Sequence, residues 1–269
     1  MSPIDVALVR ALRERATREA TGLYVVEGAR FAVAAVDARA EVVATVVAPG
    51  ALRTTMAQMM TRRMRQRGVP ELRVSESEPA DLASAREPQG VLLVLRQRRV
   101  SIEAIRPPPR ALWLVIDGVR SPGNLGTALR TAHATGVDGV VMLRGGREGA
   151  ADPFDPACAR ASMGAIVSTT VIDADVASLR AFASRTGTRL VAAVPRARHD
   201  YRAVSYRGAT ALVLGSERQG ASDAMIDACD LAVRIPMATA MDSLNAAVAS
   251  AVLLYEAYGQ RCPPERRRA

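Results

Sequence analysis

Three polar clusters in this chain each follow an apolar run, and each holds groups that could bind or polarise a ligand. In DGVRSPGNLGTALRTAHATG, Asp117 to Gly136, the carboxamide of Asn124 and the guanidinium of Arg130 stand about a turn and a half apart on a helical stretch. In LVLGSERQG, Leu212 to Gly220, the carboxylate of Glu217 lies between Gly215 and Gly220. In IPMATAMDSLN, Ile235 to Asn245, the side chains of Asp242, Ser243 and Asn245 stand where an apolar helix begins. An arginine fork can hold a phosphate, a carboxylate at a turn can orient a neighbour such as Arg130, and a helix start offers free backbone N–H groups. Each cluster also has a plain structural reading. Asn124 would cap a helix with one solvated arginine, Glu217 would be an exposed turn residue, and Asp242 or Ser243 would cap the last helix. His133, one turn from Arg130, reads as a packed histidine, and Cys158 as a small buried side chain.

The elements that must position these groups are legible from hydrophobic pattern. ALWLVID, VDGVVML, TRLVAAV, ATALVLG and LAVRIPM are continuous apolar runs, and helical stretches separate most of them. Such runs predict a parallel sheet covered on both faces, in which ligands sit at the carboxyl ends of the strands. Pro236 should end the last strand, and the Ala-rich run Leu244 to Leu254 predicts a deeply packed helix. Gly136 is placed to end the helix that carries Arg130. SPGNLG lacks the order GxGxxG, so the first loop does not read as a dinucleotide fingerprint or the chain as a nicotinamide oxidoreductase.

The proline run IRPPPR, Ile105 to Arg110, reads as a stiff linker and divides the chain into residues 1–106, a linker at 107–110 and residues 111–269. The first part alternates between helix and strand. A charged helix covers about residues 4 to 20, LYVVEG is a strand, ARFAVAAVDAR a helix and VVATVVAP a strand. MAQMMTRRMRQRG is a helix, and ELRVSE and GVLLVLRQ are strands. The expectation is a small α/β domain. Met56, Met59, Met60 and Met64, at helical spacing, read as core.

The chain carries a net charge of +9, and all 36 basic residues are arginine. Absence of lysine fits codon bias in a GC-rich genome, but the positive excess also favours polyanionic partners. Cys158, Cys229 and Cys262 form no CxxC and lack a neighbouring histidine pair, which argues against a disulfide framework or zinc site; no metal is expected. The N-terminus has no apolar signal core, and no run reaches the length of a membrane span, so the expected location is the cytoplasm.

Taken together, NxGxxxR (Asn124, Gly126, Arg130), LGSExxG (Leu214 to Gly220) and IPM…SLN (Ile235 to Met237, Ser243 to Asn245) resemble the three motifs of the SpoU, or TrmH-like, RNA ribose 2′-O-methyltransferases of the SPOUT superfamily. The match runs from about Leu112 to Tyr258. LYVVEGARFAVAA and EPQGVLLVL are similar to the L30e-like substrate-binding domain that some members carry at the N-terminus. The fold class implied is α/β: a C-terminal parallel-sheet SPOUT domain with a deep trefoil knot plus a smaller N-terminal L30e-like domain.

The resemblance also implies a site. The knot would form a pocket for S-adenosyl-L-methionine from Leu214, Gly215, Ser216, Glu217, Gly220, Ile235, Pro236, Met237, Ser243, Leu244 and Ala193. Arg130 would activate the ribose hydroxyl, or hold the adjacent phosphate and stabilise developing alkoxide. Glu217 would orient Arg130, Asn124 would fix the loop, and Ser243 and Asn245 would position the ribose or shape the cofactor end. Arg160, in a segment like the family's RASxG, and Arg13, Arg62 and Arg63 in the N-terminal domain would contact RNA. The implied substrate is ribosomal RNA, with transfer RNA as the alternative, and the implied assembly is a homodimer through the knot. Some members methylate rRNA to confer resistance to ribosome-targeting antibiotics, a role this composition would suit. A binding protein that had lost catalysis would show a broken motif, whereas Asn124, Arg130, Glu217, Ser243 and Asn245 are all present.

Overall fold

A computed structural model describes residues 4–76, 78, 82, 89–144, 149–239 and 243–262. The chain forms two compact units, Met1–Arg98 with Asp152–Ser168, and Arg99–Ala151 with Thr169–Ala269.

In the first unit, α1 (Val6–Ala11) and α2 (Arg15–Thr21) are followed by β1 (Leu23–Glu27), α3 (Ala29–Asp37), β2 (Val42–Val47), α4 (Thr55–Gln66), β3 (Glu71–Arg73) and β4 (Val91–Arg96). The sheet order is β1-β4-β2-β3; β4 is antiparallel to both β1 and β2, and β3 is parallel to β2. The single helix expected over residues 4–20 is two. The break has a physical cause: the Arg18 guanidinium donates to the carbonyls of Leu12 and Arg13 at 2.9 and 2.6 Å, taking acceptors that a continuous helix would use.

The methionine stripe of α4 divides. Met60 and Met64 are buried with Ala57 and Thr61, but Met56 and Met59 are 46% and 50% exposed. The helix starts on Thr54, whose side chain accepts from the Ala57 N–H at 3.1 Å.

The second unit begins with β5 (Arg99–Ser101), which lies before the proline run rather than after it. It continues through β6 (Leu112–Asp117), α5 (Pro122–Ala134) and β7 (Gly139–Leu143). Two short helices come next in the chain, α6 (Pro156–Ala161) and α7 (Ala165–Ser168), and they belong to the first unit. Their segment is tied there by Arg18, only 2% exposed, whose Nε donates to Asp152 Oδ2 at 2.8 Å. Tyr24 and Phe154 pack beside each other with ring centroids 4.9 Å apart. The segment follows β7 in sequence but finds its apolar and ionic partners on α2 and β1.

The second unit then resumes with β8 (Val171–Ala174), α8 (Val176–Thr186), β9 (Arg189–Ala193), β10 (His199–Asp200), β11 (Thr210–Gly215), α9 (Asp223–Ala228), β12 (Leu231–Arg234) and α10 (Ala246–Arg261). Its eight strands, in the order β10-β12-β9-β11-β6-β7-β8-β5, all pair in parallel. Central strands β6 and β11 are buried along their whole length, as continuous apolar runs require. On one face Trp113, Val115, Val213 and Leu190 pack with Leu179 and Phe182 of α8. The last helix is not packed all round: Leu253, Leu254 and Ala257 are buried, while Val248 and Tyr255 are 49% and 55% exposed. Among the described residues, no helix is long and apolar enough to cross a membrane.

Candidate active site

The three polar loops meet because the sheet sets β6 and β11 side by side in register, with Asp117 opposite Gly215. The loops that follow these strands leave the sheet together.

The first loop enters α5 through Ser121, whose Oγ accepts from the Asn124 N–H at 3.3 Å, with Pro122 at the first helical position. Ser121, rather than Asn124, is therefore the cap, which releases the Asn124 side chain. Gly136, at φ 70°, follows the helix end in the left-handed conformation expected of it.

In the second loop, the backbone doubles back after Gly215. Ser216 and Gly220 exchange two backbone hydrogen bonds of 2.9 Å. A Cβ on Gly215 would lie 1.9 Å from the Ala221 nitrogen, so only glycine permits this turn. The buried Asp117 carboxylate holds the returning chain by accepting from the Ser222 N–H at 2.6 Å.

The third loop leaves β12 at Arg234 and passes through Ile235, Pro236 and Met237. Asn245 caps α10, its Oδ1 accepting from the Ala247 and Val248 N–H groups at 2.9 and 3.3 Å. Ser243 is not the cap; Asp242 lies outside the described residues.

These loops are joined by a relay of side chains. Asn245 Nδ2 donates to Asn124 Oδ1 at 3.0 Å, and Asn124 Nδ2 donates to Glu217 Oε1 at 2.7 Å. Glu217 Oε2 also accepts from the Arg120 N–H at 3.3 Å. Partial burial pushes the Glu217 carboxyl up, but hydrogen bonds from Asn124 and from backbone N–H groups outweigh it and hold the group below its ordinary value. Glu217 thus turns to Asn124 and not, as expected, to Arg130. Arg130 lies about 9 Å further along the helix axis at 1.5 Å per residue. It is exposed and makes no ion pair or side-chain hydrogen bond among the described residues.

Beside the relay lies a cavity of about 630 Å³. Of the expected cofactor residues, Leu214, Gly215, Ser216, Glu217, Gly220, Ile235, Met237, Ser243, Leu244 and Ala193 line it; Pro236 does not. Asn124, Asn245 and Arg130 stand outside its lining. Sequence reasoning missed Arg196, Arg218, Gln219 and Ile226, which also line it. Arg196 lies just beyond the carboxyl end of β9, and that position was the available signal. Apolar walls from Leu214, Ile235 and Leu244 suit a flat heteroaromatic group, and the backbone of the Gly215–Gly220 turn supplies polar atoms beside them.

The other arginines expected to meet RNA are in the first unit. Arg13 and Arg160 are exposed and border a smaller cavity of about 150 Å³, with Glu27 and Gln89 in its wall. Arg62 and Arg63 lie on the outer face of α4. Among the described residues, no group of three or more histidine, cysteine or acidic side chains is placed to hold a metal ion.

Comparison with known proteins agrees with this geometry. Residues 111–255 match the SpoU rRNA Methylase family, and residues 5–93 match an MRM3-like substrate binding domain. An uncharacterized tRNA/rRNA methyltransferase of Synechocystis is 34% identical over 207 residues, 76% of this chain and 72% of the relative. A crystal structure of an RNA 2′-O ribose methyltransferase superposes with a TM-score of 0.78 at 32% identity, covering 95% of each chain. An AdoMet-bound rRNA methyltransferase from Sinorhizobium meliloti gives a TM-score of 0.85 at 27% identity, over 96% of this chain and 95% of that one. The chain belongs to the SpoU family of RNA methyltransferases, with an MRM3-like substrate-binding domain preceding the methylase domain.

Proposed function

We propose that this chain methylates a ribose 2′-hydroxyl of ribosomal RNA, with S-adenosyl-L-methionine as the methyl donor. The observation that carries the reading is the cavity of about 630 Å³ walled by the loops after β11 and β12, with the Asn245–Asn124–Glu217 relay beside it. The residues fit the cofactor. Leu214, Ile235 and Leu244 would flank its adenine, the Gly215–Gly220 backbone its ribose, and Ser243 and Met237 would border the sulfonium end. Bound there, the cofactor supplies an electrophilic methyl group.

The protein's own work is to place and polarise the hydroxyl, since an alcohol is weakly nucleophilic until its proton is lost or shared. Arg130 offers a planar fork of N–H donors and no acceptor. Exposed and unpaired among the described residues, it would grip the adjacent phosphate and stabilise negative charge growing on the ribose oxygen. Glu217 would act at one remove. It fixes the Asn124 amide, and with it the start of the helix that carries Arg130. Arg13 and Arg160, on the first unit, would contact the substrate RNA.

A homodimer completes the reading. Val248 and Tyr255 are seven residues apart on the exposed side of α10, an apolar face that a second copy would cover. The segment from Ile235 to Asn245 would be threaded as the family's trefoil knot. The expected place of action is the cytoplasm, where the RNA is.

The test is transfer of tritiated methyl from S-adenosylmethionine to separate pools of rRNA, tRNA and ribosomal subunits, followed by mapping of 2′-O-methyl sites. Label at one ribose of rRNA is expected. Label in tRNA alone would keep the chemistry and replace the substrate. No label with no cofactor binding would overturn the reading. A resistance role would show as a raised growth threshold to a ribosome-targeting antibiotic in a sensitive host expressing the chain.

A further inference from the structure

Strands β12, β9 and β11 lie side by side in that order and in parallel, so the loops that follow them leave one edge of the sheet together. The loop after β9 begins Val194–Pro195–Arg196. The Ala197 N–H donates back to the Val194 carbonyl at 3.1 Å, and Arg234 Nη1, at the end of β12, donates to the carbonyls of Ala197 and Arg198 at 2.7 and 2.9 Å. Arg196 therefore stands on a pinned turn. Arg218 stands at the tip of the turn closed by the Ser216–Gly220 hydrogen bonds, which Ser216 Oγ tightens by accepting from the Gln219 N–H at 3.3 Å. Both arginines line the cavity of about 630 Å³. Both are exposed, and neither makes an ion pair or a side-chain hydrogen bond among the described residues.

Charge in the cavity wall is unbalanced. Among its described lining residues Glu217 is the one acid, and its oxygens already accept from Asn124 and from the Arg120 N–H. S-adenosyl-L-methionine carries a positive sulfonium and a positive ammonium, so two guanidiniums would oppose it unless they met its one anionic group. That group is the methionyl carboxylate. A guanidinium fork matches a carboxylate with two parallel N–H···O bonds, and partial exclusion of water by the apolar walls strengthens them. We propose that Arg196 and Arg218 hold the methionyl carboxylate of the methyl donor and so select it over analogues that lack that group. This rests on the methyltransferase reading and goes beyond it in giving the amino-acid end of the donor a side-chain subsite, which the apolar walls and the Gly215–Gly220 backbone do not supply. The carboxylate is the same before and after methyl transfer, so the pair would hold donor and demethylated product alike.

The experiment is isothermal titration calorimetry of the full chain with S-adenosylhomocysteine and with S-adenosyl-3-thiopropylamine, which differs from it only by loss of the carboxylate. Wild type should bind the first at least about tenfold more tightly, as hydrogen bonds to a charged group warrant. Arg196→Ala/Arg218→Ala should lose at least about tenfold in affinity for S-adenosylhomocysteine and bind the two ligands within about threefold of one another. Arg196→Lys/Arg218→Lys, which keeps the charge and loses the fork, should fall between. KM for S-adenosylmethionine should rise in step. Both side chains are exposed, so melting temperatures should not move. If the alanine variant still prefers the carboxylate by the wild-type factor, another group holds it and the proposal falls. If that variant binds S-adenosylhomocysteine like wild type while KM for RNA rises, the arginines serve substrate phosphates and the proposal is overturned. Wild type that methylates RNA but does not discriminate between the two ligands overturns the carboxylate subsite alone. If wild type binds neither ligand and methylates no RNA, the methyltransferase reading itself fails.

Discussion

Asn245 donates from Nδ2 to Asn124 Oδ1 across 3.0 Å, although 121 residues separate them in the chain. Neither amide is free to turn over. Asn245 must aim Oδ1 at the N–H groups of Ala247 and Val248, and Asn124 must aim Nδ2 at the Glu217 carboxylate. Reversing either would set oxygen against oxygen, or N–H against N–H. The cap of one helix and the carboxylate of a turn thus fix the side chain between them.

This arrangement separates capping from coupling. Asn245→Asp should keep the cap and set a carboxylate against the carbonyl oxygen of Asn124. Methyl transfer should fall at least tenfold with little loss of stability. Asn245→Ala removes both functions and should cost about 1 kcal/mol in addition. Urea denaturation beside methyl-transfer kinetics reads the two effects. Equal activity in Asn245→Asp and wild type would show that the relay does not serve the reaction.

Arg130 should show the opposite separation. Arg130→Ala removes an exposed side chain that has no partner among the described residues, so stability should change by less than about 0.5 kcal/mol. Turnover should fall by at least about 10²-fold, the usual cost of removing a group that stabilises charge in the transition state. Affinity for S-adenosylmethionine, measured by calorimetry, should stay within about twofold. A variant that methylates near the wild-type rate would remove Arg130 from the reaction.

Arg18 is expected to be the most damaging arginine to truncate. Its guanidinium is buried against Asp152 and also holds the carbonyls of Leu12 and Arg13. Arg18→Met leaves a carboxylate buried beside an apolar side chain and should cost about 3–5 kcal/mol, seen as a lower urea midpoint. Arg18→Met/Asp152→Leu should recover much of that loss, because the stranded charge is gone. If the double variant were as unstable as the single, the packing of residues 152–168 would depend on the ion pair itself.

The pH dependence of Glu217 has a definite sign. Its carboxyl sits below the ordinary value in the folded chain, so it binds protons less readily there than in the unfolded chain. Its contribution to stability is therefore complete above the ordinary carboxylate range, around pH 4.3, and is lost as pH falls through the lower folded value. The stability gap between wild type and Glu217→Gln should be constant from pH 6 to 8 and close below pH 4. A gap that widened on acidification would contradict the hydrogen-bond account.

How much of this was legible in the sequence follows from the range of the forces involved. The parallel strands could be read directly, because a strand buried on both faces must be apolar along most of its length, as Leu112 to Ile116 and Ala211 to Leu214 are. The loops could be read too, because glycines and polar residues just past such strands have no core to fill. Edge strands β5 and β10 lie at the two margins of the sheet, are short, and carry polar side chains, so they left no hydrophobic signal.

Tertiary structure alone decided the partners. Nothing local says that Ser121 takes the cap and frees Asn124 for Glu217, or that Arg18 breaks a helix to reach Asp152 over 134 residues of chain. Nothing local says which half of the α4 methionine stripe meets the core. Hydrophobic periodicity records how much of a residue is buried and in what rhythm. Which group a freed donor or charge then meets depends on where distant backbone lies, and only the folded chain specifies that.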